Sequence, residues 1–209
     1  MPPYTVIAFD CDGVMFDTEN ANRSYYNDIL VYFGRPPMTD QQFAYAQMQT
    51  VDESIRMLFP DPGEYEKAQA YRRNNGYGPY IGYMEMEPDL IGLLECLRPG
   101  IRTAVATNRT DTMNSVLEIH GIESYFDRVV TALDVKHPKP APDVLTSLLS
   151  YFGVDSSDML YIGDSSVDSL AARAAGVPFA AYGNPALDAD YHIERLRAVK
   201  AILEKGDLR

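Results

Sequence analysis

The sequence predicts an α/β fold, a doubly wound parallel sheet with an inserted helical domain, on three observations. Short apolar stretches rich in Val, Ile, Ala or Tyr read as buried strands. Helix-period segments alternate with them, and the first two strands are separated by a long stretch that is itself helical. The strands are Thr5 to Phe9, Arg102 to Thr107, Arg128 to Thr131, Met159 to Ile162 and Phe179 to Tyr182, and most end in polar or Gly-containing turns.

The alternating helices are marked by Leu90, Leu93, Leu94 and Leu97, by Met113, Val116 and Leu117, by Val144, Leu145, Leu148 and Leu149, and by Leu170, Ala171, Ala174 and Ala175. Residues 17–85 read as the inserted domain, leaving 1–16 and 86–209 for the sheet. Within the insert, Asn20 to Phe33, Asp40 to Met48, Asp52 to Leu58 and Gly63 to Asn74 are expected helices. Pro36-Pro37 and Pro60-Asp61-Pro62 break them. Asp17 to Asn20 and "YGPYIGYMEMEP" are the expected linkers, the second a candidate hinge.

Composition narrows the function. A chain of 209 residues holds one domain with a large insertion or two small ones. A net charge of −12 argues against a nucleic-acid surface, which needs clustered Lys and Arg. There is neither a cationic start followed by an apolar run nor a stretch of membrane-spanning length, and Cys11 and Cys96 suggest no disulfide framework. The expectation is a cytoplasmic protein with no membrane and no nucleic-acid partner; the sequence carries no signal for an oligomeric state.

Ligands of an open parallel sheet bind outside the carboxyl ends of its strands. After the first strand come Asp10 and Asp12; after the second, Thr107, Asn108 and Arg109; after the third, "KHPKPAPD" with Lys139; after the fourth, "GDSSVD" with Asp164 and Asp168. Two carboxylates one residue apart are costly unless a positive charge lies between them. Several carboxylates, a hydroxyl and a lysine suit a hard cation, Mg²⁺, and an anionic substrate. The three histidines and two cysteines are too scattered for a zinc site. With the cation bound, one carboxylate can attack a phosphoryl group while the other moves protons. Lys139 would neutralise the phosphoryl oxygens and Thr107 would hydrogen-bond to them. Gly13 would allow a tight turn beside the ligand, and Pro138 and Pro140 would restrict the backbone of Lys139.

"DCDGV", "ATN", "KPAPD" and "GDSSVD", in this order, resemble the haloacid dehalogenase superfamily over about residues 4–185. Residues 17–85 look like that superfamily's helical cap, as in its phosphoglycolate phosphatase-like and β-phosphoglucomutase-like members. The resemblance implies a Rossmann-like core and a Mg²⁺-dependent phosphatase that acts on a small phosphorylated metabolite through an aspartyl phosphate. It implies Asp10 as nucleophile and metal ligand, and Asp12 as general acid and base with its backbone carbonyl on the metal. Thr107, Asn108 and Lys139 would serve phosphate binding, Asn108 also positioning. Asp164 would be a metal ligand and Asp168 a direct or water-mediated one; Arg109 has no assigned role.

Rival readings stand beside this one. Asp168 could simply be the N-cap of the following helix. His137 reads as a solvent-facing loop residue, Cys11 as packing, and the tyrosines of the insert as core or interface. Arg23, Arg56, Arg72 and Arg73 could read a second anionic group but are individually expected to be solvated. Asp12 disfavours dehalogenation, because dehalogenases of the superfamily lack an acid there. β-Phosphoglucomutase-like members carry a His and a cap Arg where this chain has Asn22 and Val51, which disfavours a phosphomutase. A receiver-like signalling module would place its phosphorylated Asp after the third strand, where this chain offers Lys139. Phosphoglycolate, sugar phosphates and nucleotide monophosphates all stay open as substrates.

Overall fold

The structure is a computed structural model, described here for residues 3–47 and 50–204. The chain forms two compact units, Met1–Asp17 with Glu85–Arg209, and Thr18–Met84.

In chain order the elements are β1 (Val6–Phe9), β2 (Phe16–Asp17), α1 (Glu19–Tyr32), α2 (Asp40–Gln47), α3 (Val51–Leu58), α4 (Pro62–Asn75), β3 (Glu85–Met86), α5 (Leu90–Leu97), β4 (Arg102–Ala106), α6 (Met113–Ile119), β5 (Arg128–Val130), α7 (Asp143–Phe152), β6 (Met159–Gly163), α8 (Ser166–Ala175), β7 (Phe179–Tyr182), β8 (Tyr191–Ile193) and α9 (Val199–Glu204). The main sheet runs β5-β4-β1-β6-β7-β8, and every neighbouring pair is parallel. The five expected strands are present, within a residue at either end. The sixth, β8, went unread because Tyr191-His192-Ile193 is short and half polar. A two-residue antiparallel ribbon, β2 with β3, is too short to carry any period.

Parallel sheets are covered on both faces, which is why β1 is uninterruptedly apolar and fully buried. Alternate residues Val6, Ala8, Ala104, Ala106, Met159, Tyr161 and Phe179 share one core cluster with Val144, Leu145 and Leu148 of α7 and Ala171 and Ala172 of α8. In α5, Leu90, Leu93, Leu94 and Leu97 are buried at helical spacing; truncating one to Ala would cost about 2–5 kcal/mol.

In the helical unit, α1 buries Ala21, Tyr25 and Ile29 on one stripe, with Tyr26 and Leu30 beside it. α3 opens with a capping box in which the Thr50 side chain takes the Glu53 amide and Glu53 reaches back to Thr50. Pro62 does not break a helix: with Asp61 as N-cap it occupies the first turn of α4, where a missing N–H costs nothing. Met48, expected at the end of α2, lies outside the described residues. Much of the expected linker folds as a 3₁₀ turn, Gly78–Tyr83, with Tyr80 and Ile81 buried and the Tyr80 hydroxyl donating to Asp28 at 2.9 Å. Tyr25 meets Tyr26 and Tyr80 edge-on, with ring centroids 5.2 and 5.4 Å away, so these tyrosines are core. Tyr32, Tyr45 and Tyr83 are exposed. No helix among the described residues is long and apolar enough to cross a membrane.

Candidate active site

From β1 the chain crosses toward β4 and β5, and from β6 toward β7 and β8, so strand order reverses between β1 and β6. The carboxyl edge at that reversal receives Asp10 and Asp12 from β1 and Asp164 from β6. Asp168 comes from the first turn of α8, and the loop after β5 brings Lys139.

Lys139 is the hub. Its side chain is 2 % exposed, and Nζ lies 2.8 Å from Asp10 Oδ1 and 2.6 Å from Asp168 Oδ1. It also donates to the Tyr161 hydroxyl at 2.9 Å and approaches the Ala106 carbonyl at 3.2 Å. Burial favours the neutral amine, but the attraction of Asp10 and Asp168 outweighs it and raises the pKa, so the ammonium stays charged. Asn108 fixes the loop that delivers it: Nδ2 donates to the Lys139 carbonyl and Oδ1 accepts from its amide, both at 2.9 Å. The amide of Asn108 is thus engaged by backbone at both ends.

Asp168 is fully buried with both oxygens occupied. Oδ1 accepts from Lys139 and from the Tyr161 hydroxyl at 2.7 Å, and Oδ2 accepts from the Ser165 amide at 3.1 Å and from its hydroxyl. Ser165, not Asp168, is the N-cap of α8, and Asp168 is its capping-box partner one turn in. Helix capping and the ion pair are therefore two uses of one carboxylate. Burial works against its charge, yet Lys139 and these donors hold its pKa below the usual range.

Asp10 has the opposite balance. Burial pushes its carboxyl up to about 6, Lys139 counteracts, and Asp168 and Asp12 push it higher. The charged partner that Asp10 Oδ1 has here is the Lys139 ammonium at 2.8 Å. Asp164 is pushed up to about 7 by burial and then by Asp10 and Asp168. Its loop packs hard against that of Asp12: Gly13 has φ +80°, and a Cβ there would lie 2.1 Å from Asp164 Oδ2. Gly163 is likewise forced, since a Cβ would meet Asp168 Cβ at 2.4 Å.

Carboxylate oxygens of Asp10, Asp164 and Asp168 lie within 4.8 Å of one another. Three carboxylates against one ammonium leave two negative charges uncompensated, and every donor is oxygen. That all-oxygen set of three carboxylates fits a divalent hard cation such as Mg²⁺.

Thr107, buried at the end of β4, accepts the Arg109 amide on Oγ1 at 3.1 Å, so its own hydroxyl hydrogen remains for another acceptor. Asp12 stands apart from the acidic group, its carboxylate gripped by Arg109. Sequence reasoning left Arg109 without a role and passed over Tyr161. A tyrosine inside an otherwise apolar buried strand is the signal that would have found the latter, because its hydroxyl must have a partner. His137 is exposed and pairs with Asp143, and Cys11 is fully buried, its thiol pushed well up by burial and by Asp12. In the helical unit, Asn22 accepts from the Tyr77 hydroxyl at 2.7 Å and Val51 is the first residue of α3.

The chain is similar to known proteins over most of its length. The haloacid dehalogenase-like hydrolase family matches residues 7–182. A pyrophosphatase of Bacillus velezensis is 30% identical, covering 92% of this chain and 93% of its own. A phosphoglycolate phosphatase of Cupriavidus necator is 34% identical over 99% of this chain and 96% of its own. Among solved structures, a haloacid dehalogenase superfamily hydrolase of subfamily IA from Geobacter sulfurreducens superposes with a TM-score of 0.91. It is 36% identical, with 97% of each chain covered. The parallel sheet, the acidic edge and these matches together make the chain a member of the haloacid dehalogenase-like hydrolases, with that family's Rossmann-like core.

Proposed function

We propose that this chain is a Mg²⁺-dependent phosphatase that hydrolyses a small phosphomonoester through a phosphorylated Asp10. The relatives are named as phosphatases and pyrophosphatases, among them a fructose-1-phosphate phosphatase of Escherichia coli 28% identical to this chain. The observation that supports the finer reading is the buried Lys139 ammonium 2.8 Å from Asp10 Oδ1, inside a group of three carboxylates whose oxygens lie within 4.8 Å of one another.

Asp10 and Asp164 would hold the ion, with Asp168 beside them and the Asp12 backbone carbonyl as a further ligand. When bound, Mg²⁺ offsets the charge of the carboxylates and of the phosphoryl oxygens, so that two anions can meet. Asp10 attacks phosphorus while the bond to the leaving oxygen breaks, and Asp12 delivers a proton to that oxygen. Asp12 then takes a proton from water as the water attacks phosphorus, which frees Asp10 and inorganic phosphate. Lys139 neutralises the phosphoryl oxygens and the Thr107 hydroxyl donates to one of them. Asn108 acts by holding Lys139, and Asp168 and Tyr161 fix its ammonium from behind.

The test is phosphate release from a panel of small phosphomonoesters, with and without Mg²⁺, beside Asp10→Asn. Metal-dependent release should fall by a factor on the order of 10⁴ or more in the variant, with an unchanged melting profile. Near wild-type release from purified Asp10→Asn would remove Asp10 as the nucleophile.

A further inference from the structure

We propose that Arg109 determines specificity at this site and selects phosphorylated substrates whose leaving group carries an oxyanion of its own, a carboxylate or a phosphate, close to the bridging oxygen. This rests on the roles of Asp10 and Asp12 given above. Its basis is the grip on Asp12: Arg109 Nε lies 3.0 and 2.9 Å from the two carboxylate oxygens and Nη2 lies 2.7 Å from Oδ1. Nη1 donates to Thr112 Oγ1 at 3.1 Å, which anchors the fork from the side. The Arg109 side chain is 9 % exposed and that of Asp12 41 %. A flat, anchored guanidinium facing a carboxylate is a reader of oxyanions. In the free protein the oxyanion it reads belongs to the chain itself.

That contact conflicts with the chemistry. With Nε and Nη2 of Arg109 on both of its oxygens, the Asp12 carboxyl faces the guanidinium, and it must give up part of that fork to lie against a leaving oxygen. A leaving group that brings its own oxyanion resolves the conflict by taking Asp12's place on the guanidinium, which frees Asp12 to move its proton. The reach agrees. Asp12 touches the leaving oxygen during reaction and Arg109 touches Asp12, so the guanidinium lies about 5–6 Å, two hydrogen-bond lengths, from the bridging oxygen. A carboxylate or phosphate one or two atoms beyond that oxygen spans this distance. A plain alkyl phosphate leaves Arg109 on Asp12.

The test compares phosphoglycolate (carboxylate), pyrophosphate (phosphate) and ethyl phosphate (neither) on the Mg²⁺-loaded full chain and its Arg109→Gln and Arg109→Lys variants. In the wild type at least one substrate with a second oxyanionic group should exceed ethyl phosphate in kcat/KM by about 10²-fold, and the preferred one tells carboxylate from phosphate. Arg109→Gln should shrink that ratio roughly 10- to 100-fold, and Arg109→Lys, which keeps charge without the fork, by less. A wild-type ratio near one overturns the proposal. Equal losses on all three substrates also overturn it, since they would leave Arg109 only orienting Asp12. Should Arg109→Gln not fold, the wild-type and Arg109→Lys ratios decide. If no substrate is turned over, the phosphatase reading fails by itself and calorimetry decides this inference. Phosphonoacetate must then bind the wild type at least tenfold more tightly than methylphosphonate and lose that advantage in the Arg109 variants; equal binding rejects it.

Discussion

Two groups of charges at the same sheet edge are built on different balances. Around Asp10, three carboxylates share the one buried ammonium of Lys139, and the group is short of positive charge. At Asp12, one carboxylate meets one guanidinium, and the pair is half open to solvent. Burial, and after it the neighbouring carboxylates, push Asp10 up to about 6 and Asp164 up to about 7. On the proposed reading the first group takes an added cation, whereas the second is already paired and comes apart to act.

Removing the ammonium tests the deficit most severely. Lys139→Ala should lower kcat/KM by roughly 10²- to 10³-fold, the scale of losing an aligned charge on the reacting group. It should also cost about 3–5 kcal/mol of stability, because Asp10 and Asp168 would remain buried without their partner. Denaturant melts beside kinetics separate the two effects, and an unchanged kcat/KM would take Lys139 out of the site.

Proton linkage gives a smaller effect with a definite sign. Burial and neighbouring carboxylates raise the folded pKa values of Asp10 and Asp164 above the ordinary Asp value, so their contribution to stability is fully present below about pH 4 and is lost as pH rises through 6 to 7. A cation reverses that loss, but below pH 7 it must first displace a proton from Asp164. Mg²⁺ affinity by calorimetry should therefore weaken as pH falls from 8 to 6, approaching tenfold per unit. The gain in melting temperature from Mg²⁺ should be larger at pH 8 than at pH 6. A flat profile would mean that these carboxylates are not the ligands.

Tyr161→Phe sharpens the comparison most gently. It deletes one acceptor of Lys139 and one donor to Asp168 while keeping the ring in the core cluster. The expected cost is about 0.5–1.5 kcal/mol, with kcat falling severalfold and the Arg109-dependent substrate ratio unchanged. If that ratio moves as well, the two charge groups are coupled.

Much of this was legible in the sequence because the evidence was local. β1 and β4 to β7 announced themselves as apolar runs, and α5 by four leucines at helical spacing. Asp10, Lys139, Asp164 and Asp168 stood at strand ends inside recognisable motifs, and the fold gathers them at one edge. What escaped depends on distant partners. Tyr161 looks like an ordinary strand residue until the loop after β5 brings Lys139 to its hydroxyl. The grip of Arg109 joins residues on two different strand-end loops, and nothing near "ATNRT" announces it. Asn108 read as a phosphate-binding and positioning residue, and its hold on the Lys139 backbone was hidden because that partner lies in another motif. Pro62 read as a break because the usual preference of proline was weighed without Asp61 as its cap.

The place of β1 in the sheet also bears on how the protein is made. β1 leaves the ribosome well before either of its neighbours, β4 and β6, which begin at Arg102 and Met159. Its uniformly apolar Val-Ile-Ala-Phe must therefore wait roughly 5–20 s for even one partner at ordinary synthesis rates. The helical unit Thr18–Met84 emerges whole within that interval. During translation the sticky segment of the nascent chain is thus the strand that leads into Asp10, and a chaperone that shields short apolar runs would find its first client there.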